Sequence, residues 1–212
     1  HMSVPGQMVQ GTFVVQRSDK GQEFLKVEAA VSDVGAQFSS RTIHAAGPCR
    51  PEWLAEFSGM ERGAQDWLDQ IVGHLDAPLT LDTPLRMAAN GTALADLFNT
   101  VQLAASGAQI SVTSLANDAA GLPQTVRRRD ILNAYPYTNT LTVMQITGAI
   151  LRRAMERSAE YFTRNEDGTL RISDAFLKPK VEHYNYDYYA GVHYIFDCSR
   201  PVGQRVTELC VG

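Results

Sequence analysis

Three observations predict an α+β architecture for this chain, with helices and strands interleaved in layers around a mixed sheet. Apolar residues return at three- and four-residue steps in three stretches, 51–71, 90–105 and 147–162, as they do along one face of a helix. Between them lie short runs rich in β-branched and aromatic residues, at 11–17, 24–31, 109–113, 140–146, 192–196 and 205–211. At 212 residues and 44% hydrophobic, the chain is long enough for one domain with a real core plus an appended piece.

The two N-terminal runs, GTFVVQR and FLKVEAA with one neighbour, are joined by Ser18-Asp19-Lys20-Gly21-Gln22, whose turn chemistry predicts that they pair as a hairpin. His1-Met2 reads as an expression-tag scar. Punctuation by polar residues, Gly and Pro from Val34 to Pro51 predicts a linker. The helix expected next, to Ile71, carries Trp53, Leu54, Phe57, Met60, Trp67 and Leu68 on one stripe, and core packing is the expected use of its tryptophans. Val72 to Leu85 should be extended. A helix from Asn90 to Ala105 should stop at Gly107, and Ser114 to Pro123 is a small-residue loop holding Asn117.

The organising stretch is Arg129 to Phe162. A short helical turn from Asp130 to Tyr135 should end at Pro136, because proline restricts the residue before it and forces extension. Tyr137-Thr138-Asn139 is then a loop, Thr140 to Ile146 a mostly buried strand, and Thr147 the cap of a helix that shows its arginines and glutamates to solvent. The corner sets an aromatic ring two residues from a carboxamide. A ring face suits a planar heterocycle, and an amide brings both a donor and an acceptor to its edge. The same spacing also suits a packed tyrosine and an asparagine that closes a turn.

This run resembles the C-terminal domain of the bacterial 5'-nucleotidase family, in its 2',3'-cyclic-nucleotide 2'-phosphodiesterase/3'-nucleotidase branch, where an aromatic-Pro-Asn-Thr-Leu corner precedes a strand, Thr-Gly and a long helix. Phe176-Leu177-Lys178-Pro179-Lys180 with His183-Tyr184-Asn185-Tyr186-Asp187, Gly191-Val192 and Ser199-Arg200-Pro201-Val202-Gly203 look like further blocks of that branch, in its order. One departure is Thr138, where the branch usually has proline. The resemblance implies a layered mixed sheet and helices of the 5'-nucleotidase C-terminal domain type, preceded by a β-hairpin and a linker helix. It implies a hairpin at 1–33 from the end of a missing metallophosphoesterase domain, a linker and interdomain helix at 34–71, and a nucleotide-binding domain at 72–212 lacking its last strands. It further implies that Tyr137 is one of two aromatics that sandwich a nucleobase and that Asn139 bonds the base edge, with the loop around Asn117 nearby. The run of four tyrosines in six residues at 184–189 makes Tyr184 and Tyr186 candidate walls of the same site.

Catalysis is not expected from this chain alone. It has no Asp-x-His or Asn-His pair, its histidines are scattered singly, and it has neither a Gly-x-Ser-x-Gly elbow nor a glycine-rich phosphate loop. In the family a divalent metal pair in the N-terminal domain does the hydrolysis, so no catalytic or metal-binding residue and no cofactor is assigned here. Cys49, Cys198 and Cys210 have no metal-ligand spacing and are expected to be free. A net charge of −4 disfavours nucleic acid, and no apolar run is long enough to span a membrane. Arg127-Arg128-Arg129 is the only basic run, and solvation or pairing with Asp130 is its expected role.

The expected ligand is a nucleotide or nucleoside, and the expected partner is the chain's own metallophosphoesterase domain, in a periplasmic or cell-surface parent enzyme. One ring and one hydrogen bond supply about 2–4 kcal/mol, so the isolated chain should bind at about millimolar strength. An uncovered strand edge would favour a homodimer. A free-standing binder of planar ligands and a structural assembly domain are the competing readings.

Overall fold

The computed structural model describes residues 3–17 and 21–212, which form two compact units, 1–61 and 62–212. Mixed α/β structure fills both, with five helices and several two-stranded sheets among the described residues.

The first unit is built from two hairpins. Strands β1 (Val4–Val9) and β2 (Thr12–Gln16) pair antiparallel across the two-residue turn Gln10-Gly11, where both residues have positive φ, the geometry that matches the twist of the flanking strands. Strands β3 (Glu23–Ser32) and β4 (Gly35–His44) run in unbroken register from Glu23 opposite His44 to Ser32 opposite Gly35. This corrects two expectations. The 11–17 run pairs backwards with β1 instead of forwards with 24–31, and the expected linker after Val34 is mostly a ten-residue strand. The turn expected at 18–22 falls partly on residues outside the described ones.

Helix α1 (Pro51–Leu68) forms where the periodicity places it, but it buries none of its residues. Trp53 stays 51% exposed, with the Arg50 guanidinium 5.2 Å from its ring centroid, and Trp67 lies under Arg128 at 4.6 Å. The expectation of tryptophans packed in a core is therefore overturned: in this structure the rings serve as platforms for arginine cations.

In the second unit, β5 (Ile71–His74) is followed by α2 (Pro84–Asn90), which has proline at its start and the Thr83 hydroxyl accepting from the Arg86 amide. Helix α3 (Ala93–Ser106) stops at Gly107, which takes the left-handed conformation at φ 66° and returns its amide to the Leu103 carbonyl. Strand β6 (Ser111–Thr113) follows, then β7 (Thr125–Arg127), which pairs with β5, and α4 (Arg128–Ala134), where the Asp130 carboxylate accepts from the N–H of the capping residue Arg127 at 2.7 Å. Arg129 turns away from Asp130 and pairs with Asp69 at 2.7 Å.

Helix α5 (Gly148–Ala159) is capped by Thr147 as expected and buries Leu151, Met155, Ser158 and Ala159. The β8 (Phe162–Arg164) and β9 (Leu170–Ile172) hairpin turns at Glu166-Asp167-Gly168. Strand β10 (Tyr188–Ala190) pairs with β6, and β11 (Val192–Phe196) pairs with β12 (Val206–Val211). All three cysteines are free thiols.

Three apolar clusters hold this unit together. One gathers Leu94, Ala95, Leu115, Leu122, Val126 and Ala134 under α3 and α4. A second gathers Tyr161, Phe162, Phe176 and Tyr186, with ring centroids 4.9–5.7 Å apart, edge to face except for the tilted Tyr161–Tyr186 pair. The third locks Leu151 and Met155 of α5 onto Val206 of β12.

One expected strand does not form. Residues 141–146 carry no ladder, and Val143 and Met144 are 61% and 74% exposed. Their β-branched composition suits a pleated surface, yet a strand exists only where a neighbour offers its own N–H and C=O groups. Strand β6 lines the same cleft as this segment but pairs only with β10 among the described residues.

Candidate ligand site

The cleft has a volume of about 1040 Å³. One wall is β6 with the residues leading into it from Gly107, and the other is the segment from Asn139 to Ile146. Its size is at the upper end for small-molecule sites, which leaves room for a nucleoside and its substituents.

Tyr137 stands on this cleft because three local features put it there. Helix α4 ends at Tyr135, whose amide closes onto the Ile131 carbonyl, and Pro136 prevents another turn. The Asn139 amide then donates to the Tyr137 carbonyl at 3.0 Å, which tightens the corner. The Tyr137 ring is left 62% exposed, and the Asn139 carboxamide lines the same cleft with its Nδ2 donating to the Tyr135 hydroxyl at 3.2 Å. Tyr135 is fixed in turn by an edge-to-face contact with Phe98 of α3. A rigid helix end thus carries an open aromatic face, and a polar amide stands beside it.

The other candidates separate. Tyr184 lines the same cleft, and its hydroxyl accepts from the Lys180 ammonium at 2.8 Å. Asn117 lies elsewhere, beside a smaller cavity of about 180 Å³, with its Nδ2 donating to the Val181 carbonyl at 2.8 Å. Tyr186 is 3% exposed, and its hydroxyl donates to the Ala88 carbonyl at 2.8 Å. That ring is a core member that also backs the smaller cavity, and burial pushes its phenol far above the ordinary range. The sequence brought Tyr184 and Tyr186 together by adjacency, but a turn at His183–Asn185 sends their side chains to different environments.

Behind β6 lies a buried polar relay. The Ser111 hydroxyl meets Asn99 Oδ1 and Gln102 Oε1, each at 2.8 Å, and Asn99 donates to the Tyr188 carbonyl at 3.2 Å. These bonds fix the cleft wall to α3 and β10, because leaving such groups unpaired would cost about 1–3 kcal/mol each.

Asp187 also lines the cleft, and burial raises its carboxyl above the ordinary value against the smaller opposing effects of Ser158, Arg157 and Tyr189. The native state therefore holds this proton at pH values where the unfolded chain has released it, and the stability it contributes is lost as pH rises through the raised native value. Asp187→Asn is expected to remove that slope. Its melting temperature should gain on the parent's between about pH 4 and about pH 7, measured side by side by circular dichroism.

Among the described residues no three His, Cys, Asp or Glu side chains converge, and no helix is long and apolar enough to cross a membrane. Residues 71–212, which carry the cleft, match the family described as 5'-nucleotidase, C-terminal domain. The chain belongs to this family. Over 98% of its length it superimposes, at TM-score 0.83 and 29% identity, on a Staphylococcus aureus protein assigned as a 5'-nucleotidase and solved in complex with alpha-ketoglutarate. A 5'-nucleotidase precursor from Thermus thermophilus shares the fold at TM-score 0.56 and 18% identity over 97% of the chain. The trifunctional nucleotide phosphoesterase protein YfkN of Bacillus subtilis is 26% identical across 93% of the chain. The chain spans 13% of YfkN, and 41% and 40% of the two solved proteins.

In this 5'-nucleotidase C-terminal domain, one residue lining the cleft was not singled out from the sequence, although it closes one of the blocks that carry the resemblance. Lys180 lies in a Lys-Pro-Lys string without periodicity, and only the fold places it beside Tyr137, Asn139 and Tyr184.

Proposed function

We propose that this domain recognises the nucleobase of a nucleotide for a phosphohydrolase whose metal-assisted bond cleavage is done by a separate metallophosphoesterase domain. The observation that carries this reading is the Tyr137 ring, open on the cleft at a helix end with the Asn139 carboxamide beside it. A base laid on that ring gains stacking energy, and its edge finds a donor and acceptor in Asn139. Membership in a nucleotidase family and likeness to a nucleotide phosphoesterase support this choice of ligand over other planar molecules. The domain's share of the chemistry is positioning: a base held still presents its phosphate in one place and lowers the entropic part of the barrier. The divalent metal pair belongs in this reading to the other domain, which clamps the attacking and leaving oxygens.

The test is an NMR titration of the chain with adenosine. Shifts should concentrate at Tyr137, Asn139 and their neighbours, with affinity near millimolar. Tyr137→Ala should weaken binding by about 1–3 kcal/mol, and Asn139→Ala by about 1. Shifts absent at tens of millimolar, or unchanged in Tyr137→Ala, would return the domain to a structural role.

A further inference from the structure

We propose that Lys180, braced by Tyr184, makes the Tyr137 cleft select nucleotides over nucleosides by donating to the phosphate of the bound ligand. The inference rests on the base-recognition reading above and adds what that reading leaves open, the group that senses the ligand's charge. Among the residues lining the cleft, Lys180 is the only basic side chain and Asp187 the only acidic one.

Lys180 is also held in place. Its ammonium donates to the Tyr184 hydroxyl at 2.8 Å and stands 5.0 Å from that ring's centroid. It is within electrostatic reach of the Tyr137 phenol. Glu182 acts on it through space and not as a bonded partner among the described residues, and two of its three N–H donors remain for a ligand. A base stacked on Tyr137 carries its sugar and phosphate outward past the edge of the ring. A cation that shares the cleft with the stacking ring is available to that phosphate. The bonds it offers are charge-assisted, which makes them stronger than the neutral contacts Asn139 supplies.

The experiment compares adenosine with adenosine 3'- and 5'-monophosphate, titrated in metal-free buffer into the parent chain, Lys180→Met and Lys180→Arg, with affinities read from the NMR shifts of Tyr137 and Asn139. In the parent, at least one monophosphate should bind about tenfold tighter than adenosine at low salt, with the advantage shrinking as salt is added. Lys180→Met should bring that ratio close to one while leaving adenosine affinity unchanged, and Lys180→Arg should keep most of it. A ratio that survives in Lys180→Met, or a parent with no preference for monophosphates, overturns the assignment while leaving base recognition intact. Failure of adenosine itself to shift Tyr137 would instead remove the base-recognition reading, and this inference with it.

Discussion

Arg205→Met is expected to lower the unfolding free energy by about 3–5 kcal/mol, more than any surface substitution in the domain. Arg205 is 7% exposed, and its guanidinium is consumed by main-chain carbonyls: Nη1 donates to Ala159 at 2.7 Å and Phe162 at 2.6 Å, and Nε donates to Arg200 at 3.1 Å. Ala159 is the last residue of α5, so the cation also sits where the helix dipole favours positive charge. The main chain at 205–206 is tied to the same helix, because the Glu156 carboxylate accepts from the Arg205 and Val206 amides at 2.9 and 2.8 Å. Methionine fills a similar space but leaves two buried carbonyls without donors. Urea denaturation should show a lower midpoint with an unchanged slope, and Arg205→Lys should fall between parent and methionine. A loss below about 1 kcal/mol would mean that water replaces the guanidinium without penalty.

The second large effect is expected at Gly191. Its φ of 80° is a conformation that L side chains rarely adopt, and a Cβ built there would stand 2.0 Å from the Gln109 carbonyl oxygen. Relief requires main chain to move, because the obstructing atoms belong to the backbone of Gln109 and Ile110, which line the cleft. Gly191→Ala should therefore cost about 3 kcal/mol or more, and the displaced wall should weaken ligand binding as well. Gly203 is the control. Its φ is 86°, but nothing lies within 4 Å of the added carbon, so Gly203→Ala should show the conformational penalty alone, about 1 kcal/mol. Equal losses in the two variants, read from thermal unfolding, would assign the whole effect to dihedral preference and none to the close approach.

What the sequence made legible was local. Thr147 announces α5 because a hydroxyl at that position bonds an amide three residues on, Gly107 announces the end of α3 because the chain needs a left-handed residue there, and Pro136 ends α4 by sterics alone. The Tyr137 corner follows from the last of these, so both residues proposed to meet a base were candidates before the fold was known. Pairing decisions were not legible. Strand β4 is largely solvent-exposed on both faces, so its sequence lacks the alternation that marks a half-buried strand and it reads as linker. Strand β10 is hidden in a tyrosine-rich run that reads as a loop, and only β6, far away in sequence, makes it a strand. The 140–146 segment shows the opposite error, with strand composition and no partner. Lys180 was missed for a related reason: an isolated lysine carries no pattern, and its company is decided by the fold.

The Tyr137 ring inherits an asymmetry from that segment. On its N-terminal side it is anchored by a finished helix, while on its C-terminal side the polypeptide runs ten residues with no ladder before α5 begins. Backbone on that side is held by the Asn139 amide bond to the Tyr137 carbonyl and not by a neighbouring strand. The ring's position is thus set from one direction only, so a substitution in α4 should displace it more than one in the segment that follows.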